Sequence, residues 1–225
     1  MFYIFTDKLN RMLNVETFTF NPFSENTYLI YNEEKVAFLI DPGNMPDAET
    51  NLLADFIKSN ELKIQNILLT HAHIDHVLGL QWAYNEFNVP VLVHLEEIEI
   101  LEKAPFTAKN YGFFFPAFKG EIQIIKEGDE LKLGSDTFEI FDVPGHSPGS
   151  VAFYNKKDEF VISGDALFMM SIGRTDLYKG NYDQLITSIK TKLLTLPEST
   201  KVFSGHGKST NVGFEKAHNP FVNSK

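Results

Sequence analysis

Residues 70–76 read Thr70-His71-Ala72-His73-Ile74-Asp75-His76, and no other segment constrains the chain as tightly. His71, His73 and His76 are three of only 7 histidines. The segment follows a short apolar run at 64–70 and precedes 75–87, where apolar residues recur at helical spacing, so it belongs on a loop from a strand to a helix. Side chains alternate in extended backbone, which points His71 and His73 to the same side, where two imidazoles can grip one ion. Asp75 and His76 come after the chain has turned and aim at a second point nearby. Asp75 also suits the cap of the helix it begins, because a carboxylate there accepts from the first free amides. The fold must hold this strand end rigidly beside other donors.

The chain has no cysteine, which excludes thiolate ligands, disulfides and a thiol nucleophile. Any metal must be held by imidazole and carboxylate, a donor set that suits zinc, iron or manganese. Three further candidates share one context. His146 lies in Pro144-Gly145-His146-Ser147-Pro148-Gly149, Asp165 in Ser163-Gly164-Asp165, and His206 in Ser204-Gly205-His206-Gly207. Each follows an apolar strand and sits beside glycine, which permits close backbone approach. Alone, each would pass for a turn residue. Beside 70–76 they describe strand-end loops converging on one rim.

Strands are expected at 15–20, 27–31, 36–40, 64–70, 90–94, 130–133, 137–143, 150–154, 159–163 and 201–204. Helices are expected at 47–60, 75–87, 95–103, 183–194 and 211–218. Residues 104–118 read as irregular and strongly aromatic, serving as core or as one wall of a pocket. Strands, helices, strands and helices in that order suit an α/β chain of two packed sheets with helices outside. With 225 residues, no linker and no repeat, 1–225 is expected to be a single domain.

The His-x-His-x-Asp-His segment, followed in order by His146, Asp165 and His206, resembles the metallo-β-lactamase fold superfamily over nearly the whole chain. The resemblance implies a four-layer αββα sandwich with two divalent metal ions at one edge of the sheets, zinc foremost, with iron or manganese as alternatives. It implies that His71, His73 and His146 hold one metal, that Asp75, His76 and His206 hold the other, and that Asp165 bridges them. Asp75 and Asp165 would then orient the nucleophilic water. Ser171-Ile172-Gly173-Arg174-Thr175-Asp176 and Asn219-Pro220-Phe221 are similar to the glyoxalase II-like group, in particular its short bacterial hydroxyacylglutathione hydrolase-like members. That likeness implies hydrolysis of a small-molecule hydroxyacyl thioester, such as S-lactoylglutathione or a related small thioester. The short stretch after His206 leaves no room for the C-terminal helical domain that holds glutathione in longer members.

Two alternatives stand beside this expectation. One is a mononuclear iron persulfide dioxygenase on the same fold; Ser171-Ile172 stands where Gly-Cys is expected in that group, which favours the hydrolase. The other is a non-catalytic, metal-stabilised interaction module, disfavoured because every ligand position is filled. The formal net charge of −10 argues against a nucleic-acid partner, which needs a basic face. It leaves an anionic substrate open, since bound cations invert the local charge. No apolar run approaches the roughly 18–20 residues of a membrane span. The apolar start at residues 1–5 is too short for a secretory leader, so a cytoplasmic location is expected. The oligomeric state is left open. Asp41 is either an orienting partner of a ligating histidine or a plain Asp-Pro-Gly turn. Arg174 and Asp176 are expected to form an ion pair near the site, with substrate contact as the lesser reading, and His94 and His218 to have surface or structural roles.

Overall fold

The computed structural model describes residues 12–45 and 47–223, so the leader expectation at the N-terminus lies outside the described residues. Strands β1 (Asn14–Phe20), β2 (Glu25–Tyr31) and β3 (Val36–Ile40) form an antiparallel ladder. Helix α1 (Asp47–Ser59) then returns the chain for β4 (Lys63–Leu68), which pairs parallel with β3. Helices α2 (Ile74–Val77) and α3 (Leu80–Phe87) lead to β5 (Val91–His94), and α4 (Ile98–Asn110) leads to β6 (Ile122–Ile125), both parallel additions. The result is a 6-stranded sheet in sequential order.

The second sheet contains β7 (Glu130–Leu133), β8 (Asp136–Asp142), β9 (Val151–Asn155) and β10 (Phe160–Gly164) in antiparallel succession. A small ribbon, β11 (Leu167–Phe168) with β12 (Ser171–Ile172), and helix α5 (Tyr182–Thr191) intervene. Then β13 (Lys201–Ser204) pairs parallel with β10, and β14 (Thr210–Asn211) closes the edge before α6 (Val212–His218).

Alternation along the strands explains the layers. Ile30, Phe38 and Ile40 from the first sheet meet Phe138, Phe153 and Ile162 from the second in one core between the sheets. Their neighbours Leu29, Ala37 and Leu39 point the other way, against Leu53, Ile57 and Leu80 of the first helical layer. On the far side Ala152, Val161 and Val202 pack against Leu185, Ile189 and Val212. Both faces of each sheet are covered, which gives the four-layer αββα sandwich and accounts for strands that are apolar at successive positions. Phe38, Phe138 and Phe153 are fully buried, and truncating any of them to Ala would cost about 3–5 kcal/mol. Among the described residues no helix is long and apolar enough to cross a membrane.

The short strands β11, β12 and β14 were not expected, and three larger differences have a physical reason. The helix expected at 75–87 breaks into α2 and α3, because the Gly79 amide donates to the Pro42 carbonyl at 2.8 Å instead of continuing the helix. A Cβ at Gly79 would meet the Asn44 side chain at 2.0 Å, so any other residue here would have to displace Asn44. Helix α4 runs through Pro105 to Asn110, where irregular chain was expected; burial of Ile100, Leu101, Ala104 and Ala108 on one face outweighs the lost backbone bond. Strand β6 was not expected at all. Its residues are partly exposed, and as an edge strand it pairs only with β5.

Candidate metal centre

The loops carrying the seven candidate ligands leave one edge of the sandwich. β4 delivers His71 and His73, and His73 itself occupies the cap position of α2, with φ −64° and ψ 153°. Asp75 therefore lies inside the first turn of α2 rather than capping it. The loop after β8 carries His146, Asp165 directly follows β10, and His206 follows β13. Backbone bonds stitch the two sheets together here. The Asn26 amide donates to Gly205 O at 2.7 Å, the Asn26 side chain to Ser204 O at 3.0 Å, and the Val151 amide to Thr70 O at 2.9 Å. Glycine is required at the closest approach: a Cβ on Gly205 would stand 2.1 Å from Asp165 Oδ1.

The structure brings all seven side chains together. His73 Nδ1 lies 2.8 Å from His146 Nε2. His206 Nε2 is 3.1 Å from Asp75 Oδ2, and His76 Nε2 is 3.7 Å from the same oxygen. Asp165 stands between the groups, 3.4 Å from His76 Nε2, 3.4 Å from His146 Nε2 and 3.5 Å from His206 Nε2.

Four of the five histidines are oriented by an acceptor behind the ring. His76 Nδ1 faces Asp41 Oδ2 at 3.0 Å, His146 Nδ1 faces Arg174 O at 2.7 Å, and His206 Nδ1 faces Phe23 O at 3.1 Å. His71 Nδ1 lies 3.1 Å from Thr70 Oγ1, whose hydroxyl in turn donates to Asp41 Oδ2 at 2.5 Å. Such contacts place the proton on Nδ1 and turn the Nε2 lone pair inward. Asp41 thus orients two histidines and also accepts from the Thr70 amide at 2.7 Å.

Charge divides the cluster. Burial, then the neighbouring His76 and His73 rings, hold His71 well below the usual imidazole range. Burial and His146 depress His73 to about 3. Burial resists protonation of His76 and His206 as well, but Asp75 and Asp165 outweigh it at His76, raising it well above its ordinary value. Bonds that His206 donates to Asp165 and Asp75 likewise raise it to about 9. Burial opposes ionisation of Asp165, yet His76 and His206 hold its carboxyl well below the usual range.

The donor set fits metal ions. His71 Nε2, His76 Nε2 and Asp165 Oδ1 are buried and lack any hydrogen-bond partner, a costly state for polar atoms unless something else meets them. His71, His73 and His146 form one group whose donor atoms all lie within 4.8 Å of one another, and Asp75, His76 and His206 form a second. Asp41, His71 and His76 satisfy the same distance test, but the Asp41 oxygens are already engaged by Thr70 and His76 Nδ1, so it serves as an orienting partner.

The centre opens on a cleft of about 540 Å³ lined by Phe23, Ile100, Tyr111, Phe168, Ile172 and Tyr178, among others. Tyr111 comes from the aromatic segment considered as a wall, while Phe115 of that segment is buried in the core and Phe114 is 93% exposed. Arg174 reaches the cleft and forms a bidentate pair with Asp176, both contacts at 2.7 Å. His94 accepts from the Glu96 amide and His218 packs on Phe214, both away from the cleft. Two buried carboxyls beside the centre escaped the sequence reading. Glu25 leaves Oε1 unpartnered 3.9 Å from His76 Nδ1, and Glu97 bonds the ligand loops. Glu97 sits in an acidic stretch, Glu96-Glu97-Ile98-Glu99, that reads as a solvated helix start.

Residues 20–206 match the family described as the Metallo-beta-lactamase superfamily. The chain is 38% identical to a Haemophilus influenzae protein named hydroxyacylglutathione hydrolase GloC, over 95% of this chain and 100% of that protein. The crystal structure of BLEG-1 B3 metallo-beta-lactamase is similar at TM-score 0.86 and 39% identity, covering 94% of this chain and 100% of that one. TTHA1623, solved in a di-iron-bound form, gives TM-score 0.83 at 39% identity over 92% of this chain and 100% of that one.

Proposed function

The chain belongs to the metallo-beta-lactamase superfamily, among its metallo-hydrolases, and from that premise we propose that it is a binuclear thioester hydrolase of glyoxalase II type. Its substrate is a hydroxyacyl thioester, S-lactoylglutathione or a related small thioester, and its place of work is the cytoplasm. His71, His73 and His146 would hold one ion and Asp75, His76 and His206 the other, with Asp165 standing between the two groups. Zinc, iron and manganese all suit these donors. The observation that carries the reading is the set of unpartnered, buried donor atoms on His71, His76 and Asp165, grouped with His73, Asp75, His146 and His206, which line the cleft together with Asp165.

When bound, two divalent ions would polarise the substrate carbonyl and lower the pKa of a water to about 7. The chain's own residues do the rest. Asp75 and Asp165 face the cleft as hydrogen-bond acceptors and fix the direction from which a water attacks. Phe23, Tyr111 and Phe168 exclude bulk water and seat the acyl group. The leaving thiolate needs little help from an acid, which agrees with a cleft whose Lys103 is already bonded to Glu99 at 2.6 Å.

Glutathione is weakly recognised in this reading. It would bring carboxylates, while both cations lining the cleft, Lys103 and Arg174, bond carboxylates of the chain itself. The test compares kcat/KM for lactoylglutathione with the same acyl group on a small neutral thiol. A ratio below about a hundredfold is expected, which is about 2.7 kcal/mol at 1.36 kcal/mol per decade; a larger preference defeats this part of the reading. The similarity to a protein titled a B3 metallo-beta-lactamase favours a second reading, β-lactam hydrolysis. A β-lactam run beside the thioesters decides between them. Oxygen consumption with a persulfide, by protein holding one iron, would replace both hydrolase readings.

A further inference from the structure

Glu97 ends a short turn between β5 and α4, and it is fully buried although no Lys or Arg pairs with it. It occupies the cap position of α4, yet its side chain makes no cap bond to that helix. The carboxylate turns instead toward two loops. Oε2 accepts from the Ala72 amide at 2.8 Å, and Ala72 is the residue between His71 and His73. Oε1 accepts from Ser147 Oγ at 2.6 Å and from the Gly149 amide at 2.7 Å, in the loop that carries His146. The first loop leaves the first sheet and the second leaves the second sheet. Burial alone raises this carboxyl above its ordinary value, and the bonds from Ser147, Ala72 and Gly149 counter it. Three donors and no acceptor face the oxygens, which is the environment of an ionised group.

We propose that Glu97 is a positioning residue that clamps the His71–His73 loop to the His146 loop and so sets the spacing of the three-histidine group. This rests on the reading of that group as a metal site. The three bonds join two loops that the Val151 amide also ties at one end through Thr70 O, and each lands within three residues of a histidine. The Asp75, His76 and His206 group receives no bond from Glu97. The effect of losing the clamp should therefore fall on one group.

Glu97→Gln keeps the shape but sets an amide donor against donors. Metal affinity is read by stepwise chelator competition on the cobalt- or zinc-loaded protein, with circular dichroism of the metal-free protein as the fold control. One of two binding steps should weaken about 10–100-fold, the usual consequence of losing a partner behind the ligands. The other step should stay unchanged. At saturating cobalt the visible absorption band should also move, because it reports ligand geometry rather than stability. Two unchanged steps, or two steps weakened equally with an unchanged spectrum, overturn the clamp. Ser147→Ala removes one of the three donors and should give the same selective loss in smaller measure. If Glu97→Gln fails to fold and Ser147→Ala binds metal like the parent, the proposal is likewise overturned. A parent protein that binds a single ion defeats the binuclear reading instead; the clamp then stands or falls on whether Glu97→Gln weakens that ion.

Discussion

His71, His73 and His146 meet as three imidazoles, whereas His76 and His206 meet carboxylates, Asp75 and Asp165, in the second group. In the first, burial and like neighbours hold His73 at about 3 and His71 well below the usual range, so their lone pairs are free at neutral pH. In the second, carboxylates raise His206 to about 9 and His76 well above its ordinary value, so protons hold the place of an ion. The difference teaches that one edge of one sandwich can offer a cation two receptions. One group is emptied of protons by desolvation, and the other is neutralised by its own salt bridges until a metal displaces them.

The largest test strikes at what the groups share. Asp165 approaches His146 of the first group and His76 and His206 of the second. Asp165→Ala should lower hydrolysis at least about a thousandfold, about 4 kcal/mol at 1.36 per decade, with metal content reduced in both groups. His71→Ala should cost as much activity but empty chiefly the first group. Near-normal rates with full metal in either variant would break the site assignment.

A titration sharpens the contrast. Metal affinity of the second group should fall at least roughly tenfold per pH unit as pH drops below about 9, protons competing for His206 and His76, while His71 and His73 of the first group bring no such competition. Calorimetry in buffers of different ionisation enthalpy counts the protons released at each step. Equal release in both steps would erase the distinction.

The metal-free fold should show the same asymmetry. A histidine whose folded value is about 9, against about 6.5 unfolded, adds stability that is complete below pH 6.5 and lost as pH rises through 9. Thermal unfolding of metal-free protein should therefore weaken across that window, and His206→Ala should flatten the curve. A parent curve already flat would contradict the ion-pair account.

The smallest effects lie outside both groups. Arg174 and Asp176 are 59% and 69% exposed, so Asp176→Ala should change stability by no more than about 0.5 kcal/mol and kcat by less than about twofold. A much raised KM for one thioester would instead place Arg174 against substrate. His94→Ala should leave the rate unchanged.

How far this was legible depended on distance along the chain. The run from His71 to His76 announces itself, because its donors are local and its spacing has one geometric meaning in extended chain. His146, Asp165 and His206 became legible only through their shared context of strand, glycine and donor. A strand buried on both faces was readable as a continuous apolar run, as at 36–40, whose bounds match β3. What was not legible is set by tertiary contacts. Nothing near Glu25 or Glu97 indicates that the chain will enclose them, and an isolated acidic residue ordinarily faces water. The break at Gly79 likewise depends on Pro42 and Asn44, which periodicity over 75–87 cannot register. The irregular reading of 104–118 erred in the opposite direction, since the core retains helix α4 through Pro105 to Asn110.

The bonds that join the sheets beside the centre have a kinetic consequence. Asn26 reaches Ser204 and Gly205, and Thr70 reaches Val151, so the donors converge only after segments far apart in sequence have met. Closing such long loops belongs to the late, slow part of folding. A chain still being synthesised cannot assemble the second group until His206 has left the ribosome, and a half-folded chain presents at most the local run at 70–76. Metal then acts on a finished seam: it retards unfolding, by holding shut the contacts that must open first, and leaves the rate of folding nearly untouched.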